Sequence, residues 1–197
     1  VGHSFGGWVA FEIAHQLRAR GRRVNSLTLI DSEAPGGPGV LGRSYTFNEV
    51  LLALVDIVEL AVGLPLGVDE QQLKSRDDAG KLKLLHSHMV NVGLFAKRSQ
   101  PDVLRGTVRT LGAALRCSYI PAIYSGPVRL ILAQNPKLDD AGNRQSHCEI
   151  VAGWQSRAPN LIVCRGPGNH FTILKEPHVR ALAELWLSPG GPVPPQE

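Results

Sequence analysis

A serine near the start of the sequence lies in a pattern that nucleophilic enzymes use. The segment Gly2-His3-Ser4-Phe5-Gly6 matches G-x-S-x-G, and Gly7 extends it. In the corresponding turn a strand passes sharply into a helix, the serine hydroxyl projects above the sheet, and flanking glycines let the backbone pass closely. Free amides at the start of the helix can stabilise an oxyanion. The spacing therefore predicts Ser4 as a nucleophile.

A serine nucleophile needs a base, and the base needs a group that orients it. Among seven histidines, His170 lies in a tight Gly-Pro-Gly-Asn loop after the last predicted strand, at the edge where parallel sheets collect active-site residues. Asp31 directly follows another predicted strand and reaches the same edge. Asp139 and Asp140 lie in the loop after the next strand and remain alternatives for the acid. We favour Asp31.

Helices that alternate with apolar strands must position these residues. Val9, Ile13 and Leu17 recur every four residues, which is typical of a helix, here predicted from Trp8 to about Arg20. Strands are predicted over 24–30, 128–133 and 161–164, and helices over 179–187 and from about 150, after a polar loop. This alternation predicts an α/β fold with a parallel sheet.

Residues 41–120 have a different character, because helical patterns follow one another there without a strand signal. Helices are predicted over 47–66, 71–95 and 102–117. The chain is therefore expected to divide into four parts. Residues 1–40 contain the nucleophile turn, its helix, a strand and the acid, and residues 41–120 form a helical insertion. Residues 121–188 form a C-terminal core with the histidine, and residues 189–197 form a flexible tail.

Composition limits the classes of function. The 197 residues are 43% hydrophobic and 19% charged, which is enough for one domain with a sizeable core. The net charge of +4 is diffuse and aromatic residues are only 6%, so nucleic-acid binding is not expected. No apolar run approaches the roughly 20 residues of a membrane span. Three cysteines, and the neighbouring His86 and His88, lack metal-ligand spacing, so we expect no metal and a reducing, cytoplasmic location.

Three segments together resemble the thioesterase domains that end nonribosomal peptide synthetases and polyketide synthases. They are GHSFGGWVAFEIAHQLRARG, LTLIDSEAP and RGPGNHFTILKEPHVRALAELW. The resemblance covers residues 1 to about 187 and implies an α/β-hydrolase-type parallel sheet with a helical lid insertion at 41–120. In that family the acid commonly follows the strand after the nucleophile helix, which supports Asp31 over Asp139.

The resemblance also implies a substrate and a reaction. The substrate is an acyl or peptidyl chain held as a thioester on the phosphopantetheine of a carrier protein, which is the expected partner domain. Serine acyl-enzyme chemistry releases it by hydrolysis or macrocyclisation, with no cofactor bound directly to the thioesterase. The backbone amide of Phe5 is expected to supply one oxyanion donor. Asn169 stands where many relatives have aspartate, a change that we expect to be tolerated.

The sequence begins with Val1 instead of methionine, and the nucleophile motif follows at once. We therefore expect a fragment truncated at its N-terminal side, with the upstream strands and the second oxyanion donor missing and no signal peptide. Two alternatives stay open at this point. One is a general carboxylesterase or lipase-type serine hydrolase with the same triad, and the other is an inactive fragment.

Overall fold

The computed structural model describes residues 1–35 and 44–187. These residues belong to two compact units, one formed by 1–35 with 118–187 and the other by 44–117. The predicted tail at 189–197 lies outside the described residues.

The first unit contains a four-stranded sheet in which every neighbouring pair is parallel. The strands are β1 (Gly2–His3), β2 (Leu27–Ile30), β3 (Val128–Leu132) and β4 (Leu161–Arg165), in that spatial order. The helices of the described chain are α1 (Gly6–Ala19), α2 (Phe47–Val62), α3 (Glu70–Lys74), α4 (Asp78–Asn91), α5 (Val103–Leu115), α6 (Asp140–Gln155) and α7 (His178–Leu187). The predicted α/β class with a parallel sheet is confirmed.

The register of the sheet aligns the ends of its strands. His3 pairs with Ile30, Ile30 with Ile131, and Ile131 with Cys164. Residues that follow these positions therefore leave the sheet at one common edge. Since parallel sheets gather functional side chains at the carboxyl ends of their strands, this edge is where the candidate residues meet.

Apolar clusters cover both faces of the sheet, which explains why its strands are mostly apolar. On one face, Leu29 and Leu130 pack with Phe11 of α1 and Trp154 of α6. The second face is covered by another apolar cluster, whose buried members are Ile30, Ile131, Ala133, Cys164, Ile173 and Leu182.

Helix α1 is present as predicted, but its repeating apolar stripe is not its buried face. Val9, Ile13 and Leu17 are exposed by 48%, 53% and 37%. The buried positions are Gly7, Phe11 and Ala14, which also follow helical spacing. The helix turns this second stripe to the core because it contains the bulky Phe11 together with small residues that allow close approach.

Helix α6 begins about ten residues earlier than the sequence indicates, so the expected polar loop before residue 150 is wrong. Asp139 caps the helix by accepting the amide of Gly142 at 2.7 Å. Only Asn143 and Trp154 are buried along its length, so its polar residues mark a solvent-facing helix surface and not a loop.

The second unit is helical, and its described part contains no strand. Its core is formed by α2, α3, α4 and α5, with Leu51, Leu73, Leu85 and Leu104 fully or almost fully buried. The predicted helix at 71–95 is two helices, α3 and α4, because Asp77 starts a new helix by accepting the amide of Gly80 at 2.8 Å.

The two neighbouring histidines of this unit have structural partners. His86 is buried and its Nε2 lies 2.8 Å from the Ser99 hydroxyl. His88 Nδ1 donates to the carbonyl of Leu66 at 2.5 Å. Among the helices described, none combines the length and the apolar character needed to cross a membrane.

Candidate active site

The serine of the motif sits in a strained turn between β1 and α1. Ser4 follows β1 directly and has φ of 54°, a conformation that costs energy for any residue with a side chain. Its amide donates to the carbonyl of Ile30 at 3.0 Å, and its own carbonyl accepts from the amide of Gly7 at 2.9 Å. Phe5 occupies the N-cap of α1 without a side-chain capping bond. The turn thus has the geometry of a nucleophile elbow.

The glycines of the motif contribute unequally to this turn. A Cβ on Gly2 would lie 2.0 Å from the carbonyl oxygen of Gly6, so no side chain fits there. A Cβ on Gly6 itself would meet no described atom within 4 Å. The second close approach is instead at Gly7, where a Cβ would lie 2.3 Å from the Ser32 hydroxyl. Of the two glycines that lie two residues on either side of Ser4, Gly2 is required by a close approach of the backbone and Gly6 is not.

Asp31 leaves the sheet beside the elbow. Its amide donates to the carbonyl of Ile131 at 2.7 Å, and its φ of 44° turns the chain out of β2. The side chain is only 15% exposed, and both carboxylate oxygens are used. Oδ1 accepts the amide of Ala133 at 2.9 Å, and Oδ2 accepts Nδ1–H of His170 at 2.6 Å.

The charge state of Asp31 follows from these contacts. Burial on its own raises the pKa of Asp31, but the hydrogen bonds from His170 and from the amide of Ala133 outweigh it. The net result is a pKa below the ordinary value for aspartate. Asp31 is therefore a carboxylate at neutral pH, as an imidazole-orienting group must be.

His170 is carried by a tight loop after β4. Gly168 has φ of +68°, and a Cβ there would lie 2.6 Å from the Thr172 hydroxyl. The side-chain oxygen of Asn169 accepts the amides of Phe171 at 2.9 Å and Thr172 at 3.0 Å. Since Nδ1 of His170 donates to the acid, the other ring nitrogen, Nε2, is the proton acceptor of the neutral imidazole.

Ser4 is next to this pair and not hydrogen-bonded to it. Within the residues that the structure describes, the Ser4 hydroxyl makes no hydrogen bond to His170. The link is His3, whose Nε2 lies 3.0 Å from the carbonyl oxygen of His170 and whose ring centroid is 4.6 Å from the His170 ring. Catalytic hydrogen bonds are often long in unliganded enzymes and shorten when substrate binds.

The alternative acids lie at the start of α6. Asp139 uses its carboxylate to cap α6, and Asp140 lies in the first turn of that helix. The structure places neither against His170, whose carboxylate partner is Asp31. In the described part of the chain, no group of three or more histidine, cysteine, aspartate or glutamate side chains is arranged to hold a metal ion.

Two contacts of this site were not identified from the sequence. The amide of Ala133 binds Asp31, and a backbone donor of this kind leaves no trace in residue types. His3 contacts the loop of His170, and its position inside the G-x-S-x-G motif is a sequence signal that points to it.

The parallel sheet, its covering helices and the strained turn at Ser4 together have the α/β-hydrolase fold. The model of the thioesterase domain family matches residues 1–187, so the chain belongs to that family.

Two curated relatives are large synthases. Chondramide synthase cmdD of Chondromyces crocatus is 25% identical over 222 residues, covering 99% of this chain and 5% of the synthase. Orsellinic acid synthase of Beauveria bassiana (strain ARSEF 2860) is 28% identical over 196 residues, covering 92% of this chain and 8% of the synthase. The chain thus spans only a small part of the length of these relatives.

Solved structures support the fold. Holo-AB3403, a four-domain nonribosomal peptide synthetase bound to AMP and glycine, is similar over 96% of this chain and 14% of its own, with a TM-score of 0.74 and 23% identity. A Vlm2 thioesterase domain bound with a dodecadepsipeptide is similar over 93% of this chain and 65% of its own, with a TM-score of 0.59 and 23% identity.

Proposed function

We propose that this domain releases an acyl or peptidyl chain from the phosphopantetheine of a carrier protein, through an acyl-enzyme formed on Ser4. The observation that carries the proposal is the Asp31–His170 pair, joined at 2.6 Å at the sheet edge where Ser4 occupies a strained elbow. Membership of the thioesterase family supports a thioester as the bond that is broken.

In the first half-reaction, the Ser4 oxygen attacks the thioester carbonyl carbon while Nε2 of His170 takes the hydroxyl proton. The carbonyl oxygen becomes an oxyanion, and the amide of Phe5 at the start of α1 is the proposed donor to it. The carbon–sulfur bond then breaks, and His170 returns its proton to the leaving sulfur. The products are an ester on Ser4 and the free thiol of the carrier arm.

In the second half-reaction, water or a nucleophile within the bound chain attacks the ester on Ser4. His170 takes the proton of that nucleophile and delivers it to the Ser4 oxygen as the ester bond breaks. Water gives a free acid, whereas a hydroxyl or amine of the chain gives a ring. Both outcomes use the same three residues.

Asp31 has an electrostatic role in both steps. When His170 accepts a proton it becomes a cation, and the buried carboxylate at 2.6 Å stabilises that cation. Burial raises the pKa of Asp31, but its hydrogen bonds lower that pKa by more. The carboxylate therefore stays charged, and the imidazole carries the proton. The acid thus fixes both the tautomer and the charge of the base.

The partner and the lid follow from the family. We propose a carrier protein domain as the partner, since both curated relatives are named as synthases and one solved relative is a four-domain synthetase. The helical unit at 44–117, inserted between Asp31 and β3, is the proposed lid.

The test is the loss of the proposed nucleophile. Ser4→Ala should lower kcat for a cysteamine thioester by about 10⁴-fold or more, and should abolish labelling by a fluorophosphonate. Ser156→Ala, which changes an exposed serine at the end of α6, is the matched control and should label normally. Retention of more than a few per cent of activity in a folded Ser4→Ala protein would contradict the assignment.

A simple aryl ester separates this proposal from a general esterase. A domain adapted to carrier-bound chains should have a higher kcat/KM for the thioester than for the aryl ester. The reverse preference, with Ser4 still required, would keep the triad and reject the thioester substrate.

A further inference from the structure

His3 contacts the main chain of His170 and has no role in the reaction as described above. It is half-buried at the end of β1, one residue before Ser4. Its Nε2 lies 3.0 Å from the carbonyl oxygen of His170, and the two imidazole rings are tilted by 34° with centroids 4.6 Å apart. A side chain within the elbow thus contacts the loop that carries the proposed base.

The chemistry of this contact determines which ring nitrogen of His3 carries a hydrogen. A carbonyl oxygen only accepts hydrogen bonds, so Nε2 of His3 must carry the hydrogen and donate it. Burial lowers the pKa of His3 below its ordinary value, and the nearby His170 acts in the same direction. The hydrogen bond to the His170 carbonyl and the charge of Asp31 oppose this without reversing it. His3 is therefore a neutral donor at neutral pH.

Two strands consequently restrain His170 in different ways. Asp31, at the end of β2, binds the Nδ1–H of its side chain, whereas His3, at the end of β1, binds its backbone carbonyl. His3 is the register partner of Ile30, the residue before Asp31, so the two restraints come from adjacent positions of the sheet.

We propose that His3 is a positioning residue, which holds the loop of His170 against the elbow by donating Nε2–H to the His170 carbonyl. The catalytic meaning of this role rests on the proposed function, while the contact itself does not. His3 is also suited to the site because it is neutral. A permanent cation 4.6 Å from His170 would oppose the positive charge that His170 acquires during the reaction.

The two titratable groups that act on His3 are His170, which faces it across the ring contact, and Asp31 on the neighbouring strand. His170 becomes positive during the reaction and Asp31 is negative, and a neutral His3 does not weaken the attraction between them. A lysine or arginine at position 3 would weaken it, because its positive charge would repel the His170 cation.

A matched pair of variants tests the donor. His3→Gln keeps a neutral N–H donor with similar reach, whereas His3→Leu keeps a side chain of similar bulk and removes the donor. Both are made in the protein at its native length. The readouts are kcat and KM for a cysteamine thioester, the rate of fluorophosphonate labelling at Ser4, and hydrogen exchange by mass spectrometry over residues 166–173.

We expect His3→Leu to lower kcat by about 10- to 100-fold, because a small displacement of a catalytic group is costly, with KM within about threefold of the unchanged protein. The same variant should exchange faster over residues 166–173. His3→Gln should restore kcat, labelling rate and exchange to within about threefold of the unchanged protein.

Three other outcomes are informative. If His3→Leu matches the unchanged protein in kcat and in exchange, the positioning role is wrong. If His3→Gln is as impaired as His3→Leu, the N–H donor is not the relevant feature and the proposal is overturned. If the unchanged protein does not label at Ser4, the proposed function fails, and the exchange difference between the two variants still decides the His3 contact.

Discussion

Nδ1–H of His170 donates to Oδ2 of Asp31 at 2.6 Å, although 139 residues separate the two along the chain. Asp31 follows β2 and His170 lies in the loop after β4, with β3 between these strands in the sheet. The pair therefore exists only when the parallel sheet is assembled in its register. The amide of Ala133, just after β3, donates to the other carboxylate oxygen of Asp31, Oδ1, so the strand between the two residues also holds the acid in place.

Replacing Asp31 by asparagine should hold His170 in the tautomer that cannot act as a base. In Asp31→Asn, the side-chain oxygen can still accept the amide of Ala133, which turns the NH₂ group toward Nδ1 of His170. Nδ1 then becomes an acceptor, and Nε2 carries a hydrogen and cannot take the proton of Ser4. We expect kcat to fall by roughly 10³- to 10⁴-fold, measured with the cysteamine thioester.

Asp139→Asn is the control for this variant. Asparagine caps helices about as well as aspartate, so α6 should keep its capping bond to Gly142 and kcat should fall by less than about tenfold. A larger loss of kcat in Asp139→Asn than in Asp31→Asn would show that the acid is Asp139, after β3, and not Asp31.

The lowered pKa of Asp31 predicts how stability depends on pH. Its hydrogen bonds from His170 and Ala133 outweigh the effect of burial, so the folded chain binds the Asp31 proton more weakly than the unfolded chain does. The resulting stabilisation is complete above the unfolded pKa, about 3.9, and is lost as pH falls through the folded pKa.

Urea unfolding of the unchanged protein and of Asp31→Asn checks this sign. The difference in unfolding free energy between the two should shrink as pH falls below about 5, where the Asp31 carboxylate takes up its proton. A difference that grows over this acid range would show that burial, and not hydrogen bonding, dominates the pKa of Asp31.

Asn169 tests whether the loop of the base needs an acceptor or a charge. Its side-chain oxygen accepts the amides of Phe171 and Thr172, and an aspartate carboxylate can accept both in the same way. Asn169→Asp should therefore keep kcat within about threefold. Asn169→Ala leaves the Phe171 amide without its acceptor and the Thr172 amide with only the main-chain carbonyl of residue 169, so it should lower kcat by about tenfold or more. Equal losses in both variants would mean that the amide group of Asn169 is itself required.

Much of this structure could be predicted from patterns that depend on local sequence. Mostly apolar runs mark β2, β3 and β4 because both faces of the sheet are covered. The edge shared by Asp31 and His170 follows from their positions, one directly after a strand and the other in the loop after the last strand of a parallel sheet. The motif around Ser4 predicts the strained turn because a side chain at Gly2 would collide with the backbone.

Other features depend on which surface faces which neighbour, and residue types alone do not specify that. The apolar stripe of Val9, Ile13 and Leu17 predicts helix α1 but not its buried face. The polar start of α6 resembles a loop because that helix buries so few of its residues. The contact of His3 with the His170 loop needs the register of the sheet, which no short segment contains.

The two flanking glycines of the motif should respond in opposite ways to the same substitution. In Gly2→Ala the new Cβ would lie 2.0 Å from the carbonyl oxygen of Gly6 and 2.7 Å from the nitrogen of Gly7. Both are backbone atoms, so the elbow or β1 must move. In Gly6→Ala the Cβ meets no described atom within 4 Å, and alanine favours the first turn of α1 by up to about 1 kcal/mol.

We therefore expect Gly2→Ala to lower the unfolding free energy by several kcal/mol, on the order of other severe backbone clashes, and to abolish fluorophosphonate labelling of Ser4. Gly6→Ala should unfold at the same urea concentration as the unchanged protein or at a higher one. Urea unfolding and labelling of the two variants side by side measure the asymmetry. Equal destabilisation would mean that the elbow depends on backbone freedom at both glycines, in which case the close approach at Gly2 is not what shapes the turn.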